Sequence, residues 1–312
     1  MSAAAVGLSH SPLIGKVDPG PDVLARVDEA VDRARAFVRR FDPELVVLYA
    51  PDHYNGFFYK EMPPFCLATA ARAIGDFGSG EGQLSVDAKA ARSLAEGVLD
   101  RGIDLTISAR MTVDHGFAQP LDVLFGGIDR VPVVPVFVNG VATPLGPVRR
   151  IRALGTAIGA AAGELGKRVL FVGSGGLSHD PPVPVLDGAP PRVADALIDG
   201  LPPTPEQRAR GELRVVQAGR DYAAGTSTRV PINPVWDNHL LDLVERGDLA
   251  AVDSWTVGWM AAEGGGSAHE VRTWIAAFAS LAATGTYALE SRFYEPIPAW
   301  IAGFAVATAQ HC

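Results

Sequence analysis

Short apolar, β-branched runs alternate with longer helix-forming stretches from the start of the chain. Ala3 to Leu8, Glu44 to Ala50 (ELVVLYA) and Arg168 to Gly173 (RVLFVG) read as buried strands. Asp22 to Arg40, Ser85 to Arg101 and Pro147 to Leu165 read as the helices between them. A chain that alternates in this way folds as an open α/β structure, with a central mainly parallel or mixed sheet flanked by helices. No charge run, low-complexity linker or internal repeat interrupts the pattern, so a single domain over residues 1–312 is expected.

Two segments depart from the simple alternation. Val131 to Asn139 (VPVVPVFVN) is strand-like but carries Pro132 and Pro135, which removes ladder donors and predicts an edge or irregular strand. After Gly173 the strand signal fades. Pro181 to Pro205 is proline-rich and reads as a long loop with a short helix, and the last third reads as helices at Pro205 to Ala218, Asn238 to Arg246 and Ser267 to Ala283.

The strand ends carry the chemistry. His10 (GLSHSP), His53 (APDHYNGF), His115 (TVDHGFAQP) and His179 (GSGGLSHDPP) each follow a strand-like run, with Asp104 to Ala109 leading toward His115. Ligands in open α/β sheets bind outside the carboxyl ends of the strands, so imidazoles delivered there can converge on one metal or one reacting group. His53 is the strongest single case, with Asp52 or the Asn55-Gly56 turn available to orient its ring. Asp114 beside His115 also fits a loop cap, and the glycines before His179 allow close backbone approach or merely a tight turn. His239, His269 and His311 read as structural or solvated.

A ferrous site of two histidines and one carboxylate leaves positions open for substrate and dioxygen. Four histidines exceed that need, and the remaining pair would suit proton transfer near neutral pH. The candidate carboxylates are Asp52, Asp114, Asp180, Asp237 and Glu270, and spacing does not choose among them. Ser267-Ala268-His269-Glu270 also satisfies the S-x-x-E capping pattern before an apolar run, which explains Glu270 without a metal.

Several function classes are disfavoured. A net charge of −8 with no Lys/Arg-rich run argues against nucleic acid as a partner. No apolar run is long enough to span a membrane, and the N-terminal residues lack a signal-peptide pattern. Cys66 and Cys312 form neither a metal-type spacing nor a disulfide framework, so a cytoplasmic location is expected. Gly173-Ser174-Gly175-Gly176-Leu177-Ser178 ends in serine where a dinucleotide fingerprint needs glycine or alanine, and it lacks the G-x-S-x-G of a nucleophile elbow.

The segments GLSHSPLIG, LYAPDHYNGFFY, MPPFC, AIGDFGS, VDHGFAQPL, PVFVNGVATPL, GSGGLSHDPPVP, NPVWDN and PIPAWIAGF resemble the class III extradiol catechol dioxygenases, relatives of the catalytic subunit of protocatechuate 4,5-dioxygenase. The resemblance runs over essentially the whole chain. It implies a ferrous ion held by His10, His53 and Glu270, with His115 and His179 as the acid–base pair. His179 would assist deprotonation of the catechol, and His115 would donate a proton during carbon–carbon rearrangement.

The resemblance also implies catechol and dioxygen as substrates, a homo-oligomer, and 3-(2,3-dihydroxyphenyl)propionate or its cinnamate analogue as the catechol. Its side-chain carboxylate calls for a cation, with Lys60, Arg110 and Arg292 available. Tyr54, Phe57, Phe58 and Phe117 are candidates for an aromatic wall or for plain core. Two rival readings are a zinc-dependent hydrolase on the same framework and a non-catalytic relative kept as a binding subunit.

Overall fold

A computed structural model describes residues 2–200 and 203–312. The chain runs through β1 (Ala3–Leu8), α1 (Pro21–Phe41), β2 (Leu45–Ala50), β3 (Phe65–Ala68), β4 (Ala71–Ile74), β5 (Glu81–Gln83) and α2 (Ala88–Asp100). It continues as β6 (Thr106–Ser108), β7 (Met111–Val113), α3 (His115–Phe125), β8 (Val133–Val138), α4 (Val148–Gly163) and β9 (Val169–Ser174). Four helices, α5 (Pro191–Asp199), α6 (Pro205–Ala223), α7 (Pro234–Arg246) and α8 (Val257–Gly264), precede α9 (Val271–Ala282), β10 (Tyr287–Ile297) and β11 (Ala302–His311).

The main sheet has eight strands in the order β10-β11-β1-β9-β2-β8-β3-β6. Strands β1, β9, β2 and β8 pair in parallel, while β11 joins β1 and β3 joins β8 antiparallel, so the sheet is mixed. Both faces are covered. Leu45, Val47 and Tyr49 of β2 pack with α2, α4 and α9, whereas Val46, Leu48 and Ala50 pack with α1 and α3. This two-sided burial is why β2 reads as an unbroken apolar run. In α1, Val27, Ala30, Val31, Ala34, Phe37 and Val38 form the buried stripe at helical spacing.

Helix α4 lies against α9 at backbone contact. A Cβ on Gly155 or Gly159 would stand 2.3 Å from the Ala276 carbonyl oxygen or 2.1 Å from that of Ser280. That close approach seats α9 firmly on the sheet, with Trp274 also touching Gly7 of β1.

Three sequence expectations need correction. The proline-bearing strand is interior, between β2 and β3, not at an edge. Pro135 is tolerated because β3 pairs with β8 only from Val136 to Val138, so the missing N–H falls where that ladder has ended. The last third contains the long β10–β11 pair, which had no clear strand signal. The strand that delivers His115 is β7, in a separate three-stranded sheet of order β5-β4-β7, while β6 closes the edge of the main sheet.

Candidate active site

Strands β1, β9 and β2 are adjacent and parallel, so their carboxyl ends open on the same edge of the sheet. His10 follows β1, His179 follows β9, and His53 follows β2. His115 begins α3, and Glu270 lies in the turn just before α9. All five predicted residues meet. The rings of His10, His53 and His115 lie 4.6–5.7 Å apart centre to centre. These three rings bring nitrogen atoms within 4.8 Å of one another. His179 joins through Glu270.

One orientation rule applies to all four imidazoles: Nδ1 is tied outward. Ser174 Oγ spends its proton on the Gly116 carbonyl at 2.7 Å, so Nδ1–H of His10 donates to that oxygen at 2.8 Å. His53 Nδ1–H donates to Asp114 at 3.0 Å, and His115 Nδ1–H to Asp76 at 2.5 Å. His179 Nδ1–H donates to the Leu177 carbonyl at 2.8 Å. A neutral imidazole bonded this way presents a bare lone pair at Nε2, the tautomer a metal ligand or general base requires.

Glu270 collects three of these Nε2 atoms. Its Oε1 stands 3.1 Å from those of His53 and His179, and its Oε2 stands 3.4 Å from that of His10. The carboxylate is almost fully buried and accepts Gly176 N–H at 3.0 Å. Gly175 makes this approach possible, since a Cβ there would sit 2.8 Å from Glu270 Cβ. The capping pattern is not used: Ser267 makes no side-chain cap, and the Glu270 carboxylate turns inward.

The electrostatics centre on that carboxylate. Burial opposes the charge on Glu270, yet His179 and then His10 hold its pKa well below the ordinary value. Burial also opposes charge on His53, but Asp114 and then Glu270 outweigh it and raise its pKa well above normal. His179 is raised as well, Glu270 prevailing over burial. His10 goes the other way, pushed down to about 3 by burial. The cluster demands a positive charge next to Glu270, which protons or a metal cation can satisfy.

The orienting residues were largely hidden in sequence. Asp52 does not orient His53; its carboxylate accepts from Asn55, Gly56 and Phe57 N–H and is pushed up to about 7 by burial and then by Asp114. Asp114 does that work while also capping α3 through Gly116 N–H. Asp76, the partner of His115, was missed as a functional residue. Its only signal was an acidic residue between glycines in GDFG. Ser174 was likewise missed.

The other candidates scatter. Asp237 is buried under Ser178 and Tyr294, and Asp180 accepts from Gly266 and Val230 N–H. His239 is exposed, His311 bonds Thr284, and His269 is buried behind Glu270. Phe117 is fully buried and Phe57 stacks on Phe137, so both are core; Phe58 packs against Gly200. Only Tyr54, next to His53 and stacked on Tyr59, borders the cluster. Lys60 pairs with Asp199, Arg292 with Asp242 and Glu245, and Arg110 is exposed.

No helix among the described residues is long and apolar enough to cross a membrane. Comparison with known proteins gives consistent results. The chain is 55% identical over 302 residues to the 2,3-dihydroxyphenylpropionate/2,3-dihydroxicinnamic acid 1,2-dioxygenase of Mycolicibacterium gilvum, covering 97% of this chain and 96% of that protein. It is 55% identical over 309 residues to the protein of the same name from Rhodococcus sp, covering 99% and 98%. A relative of that name from Cupriavidus pinatubonensis is 54% identical over 303 residues, covering 97% and 96%. With residues 4–305 also matching the family pattern, the chain belongs to the catalytic LigB subunits of aromatic ring-opening dioxygenases.

Proposed function

We propose that this extradiol dioxygenase opens the ring of 3-(2,3-dihydroxyphenyl)propionate, and of its cinnamate analogue, with dioxygen. The product is 2-hydroxy-6-oxonona-2,4-diene-1,9-dioate, which retains both oxygen atoms. The observation that carries the reading is the set of four imidazoles, each tied at Nδ1, of which three point Nε2 at Glu270 and the fourth, His115, packs beside His10 and His53. The names of close relatives supply the substrate class.

His10, His53 and Glu270 fit a divalent metal. Ligand atoms about 2.0–2.2 Å from a common ion lie about 3 Å apart at right angles, close to the 3.1 and 3.4 Å separations here. Two histidines and a carboxylate favour ferrous iron over softer-ligand metals. Bound there, iron supplies the electron path between catechol and dioxygen and the open positions that orient both.

The protein's own groups handle the protons. His179 Nε2 takes a proton from a catechol hydroxyl, since its Nδ1 is fixed on the Leu177 carbonyl. His115 Nε2 is buried without a protein partner and is free to hold a proton for the departing oxygen. Asp76 fixes the orientation of the His115 ring through Nδ1. Cytoplasmic placement and self-association belong to the same reading, the first supported by two free cysteines.

Oxygen uptake tests the whole. Iron-loaded protein should consume one dioxygen per catechol and produce the yellow ring-opened chromophore. Equal turnover by metal-free protein, or catechol consumption without oxygen uptake, refutes the proposal; the second outcome favours a hydrolase. Replacing His10, His53 or Glu270 should release iron, while replacing His115 or His179 should retain iron and slow turnover. Equal iron loss in all variants overturns the division of roles.

A further inference from the structure

Arg272 lies in the first turn of α9, two residues beyond Glu270, and only 1% of its surface is exposed. Its Nη1 donates to the Gly146 carbonyl at 2.7 Å. Its Nε and Nη2 are buried with no hydrogen-bond partner among the described residues. Unmet buried donors and an uncompensated buried charge are both costly, so structure alone gives no reason to keep this residue.

The unmet pair is informative. Nε and Nη2 form the edge of a guanidinium that grips a carboxylate with two parallel bonds. Elsewhere in this molecule Arg26 uses that edge on Glu295, and Arg152 uses it on Asp253. Arg272 offers the same edge without a protein acceptor.

Arg272 lines a cavity of about 200 Å³ together with Arg150, Tyr59, Met62 and Ile151. That volume is small for a whole ligand but suits a short acidic side chain. The rim includes Gly146 and Pro147 at the start of α4, a helix with no side-chain N-cap, so its positive end adds to the field. Two of its lining residues connect to the candidate active site. Arg272 and Glu270 are within about 7 Å along the chain, and Tyr59 bonds Tyr54, the neighbour of His53.

We propose that the Nε/Nη2 edge of Arg272 receives the side-chain carboxylate of the aromatic substrate, with the methylenes lying against Met62 and Ile151. This rests on the ring-opening reading and assigns the acidic end of the substrate to a residue outside the histidine cluster.

Two measurements test it. In iron-loaded protein, the ratio of kcat/KM for 3-(2,3-dihydroxyphenyl)propionate over 3-propylcatechol should fall about 10- to 100-fold in Arg272→Met, the loss expected for a charge-assisted bond. Arg272→Lys, which keeps the charge but not the fork, should fall less. In calorimetric titration under argon, wild-type protein should prefer 3-phenylpropionate over 3-phenylpropan-1-ol by tenfold or more, and Arg272→Met should lose that preference. An unchanged ratio and unchanged preference in either folded variant overturns the assignment. If Arg272→Met does not fold, the Lys variant decides. If wild-type protein opens neither catechol, the ring-opening reading fails, and the titration still decides the carboxylate site by itself.

Discussion

Asp114 offers the sharpest test of how the site is held. Its fully buried carboxylate accepts four donors: His53 N–H at 2.8 Å, His53 Nδ1 at 3.0 Å, Gly116 N–H at 3.0 Å and Asn55 Nδ2 at 3.1 Å. Burial opposes its ionisation, but His53 and His115 hold its pKa below the usual carboxylate value. Asp114→Ala removes a helix cap worth about 1 kcal/mol. It also removes a charge-assisted bond worth about 2 kcal/mol and strands at least one buried N–H at about 1 kcal/mol. The expected loss of unfolding free energy is about 4 kcal/mol. Asp114→Asn separates stability from function. The amide keeps the volume, and with its oxygen in the place of Oδ2 it still accepts from His53 N–H, His53 Nδ1–H and Asn55, losing only the acceptor for Gly116 N–H and the negative charge. Without that charge the His53 ring is less basic at Nε2, the atom proposed to bind metal. We expect about 10- to 100-fold weaker metal binding, with a smaller stability loss than in the Ala variant. Urea unfolding of metal-free protein and a metal titration read the two effects separately. Metal binding within twofold of wild type in Asp114→Asn would refute the claim that the charge of this carboxylate strengthens His53 as a ligand.

Asp76→Asn should lower turnover at least tenfold while metal content stays at the wild-type level, because the bond it alters reaches only His115; parallel loss of metal would contradict that separation. In Gly175→Ala the new methyl meets Glu270 at 2.7–2.8 Å, so we expect about 1–3 kcal/mol of destabilisation and a protein that retains less metal per chain. Asp87 caps α2 through Lys89 and Ala90 N–H and pairs with Lys167 at 2.7 Å. The Ala90 bond and then Lys167 lower its pKa, so its contribution is present above the usual carboxylate pKa and disappears as pH falls through the lowered value. Asp87→Ala should therefore cost about 1 kcal/mol at pH 7 and progressively less in acid; a cost that stays constant down to pH 2 would overturn this.

Elements with local signals were legible before the structure. The run ELVVLYA is buried on both faces in β2, and the apolar stripe of α1 lies where its spacing predicts. The β10–β11 pair was not legible. A register shift between Leu289 and Ser291 breaks the alternation of β10, and β11 is rich in alanine, a poor strand former that is buried here by its neighbours. Pro135 misled because whether a missing N–H matters depends on where the next strand stops. The histidines could be picked out by their position after strands, whereas the groups that orient them could not. Ser174 is 164 residues from His10, and Asp114 is 61 from His53, so nothing local links them. Glu270 looked like a helix cap because its neighbours permit one; the close approach of Gly175 decides otherwise.

Strand β1, which carries His10, has β9 on one side and β11 on the other, pairing Ala4 with both Leu170 and Gln310. During synthesis, the residue that leaves the ribosome first among the five must wait for nearly the whole chain before its strand is enclosed. Contacts of such long sequence separation slow folding. A nascent or truncated chain without β11 leaves an edge of β1 open to pairing with other chains. The proposed metal site, which brings His10 to Glu270, can therefore assemble only after nearly the whole chain has emerged.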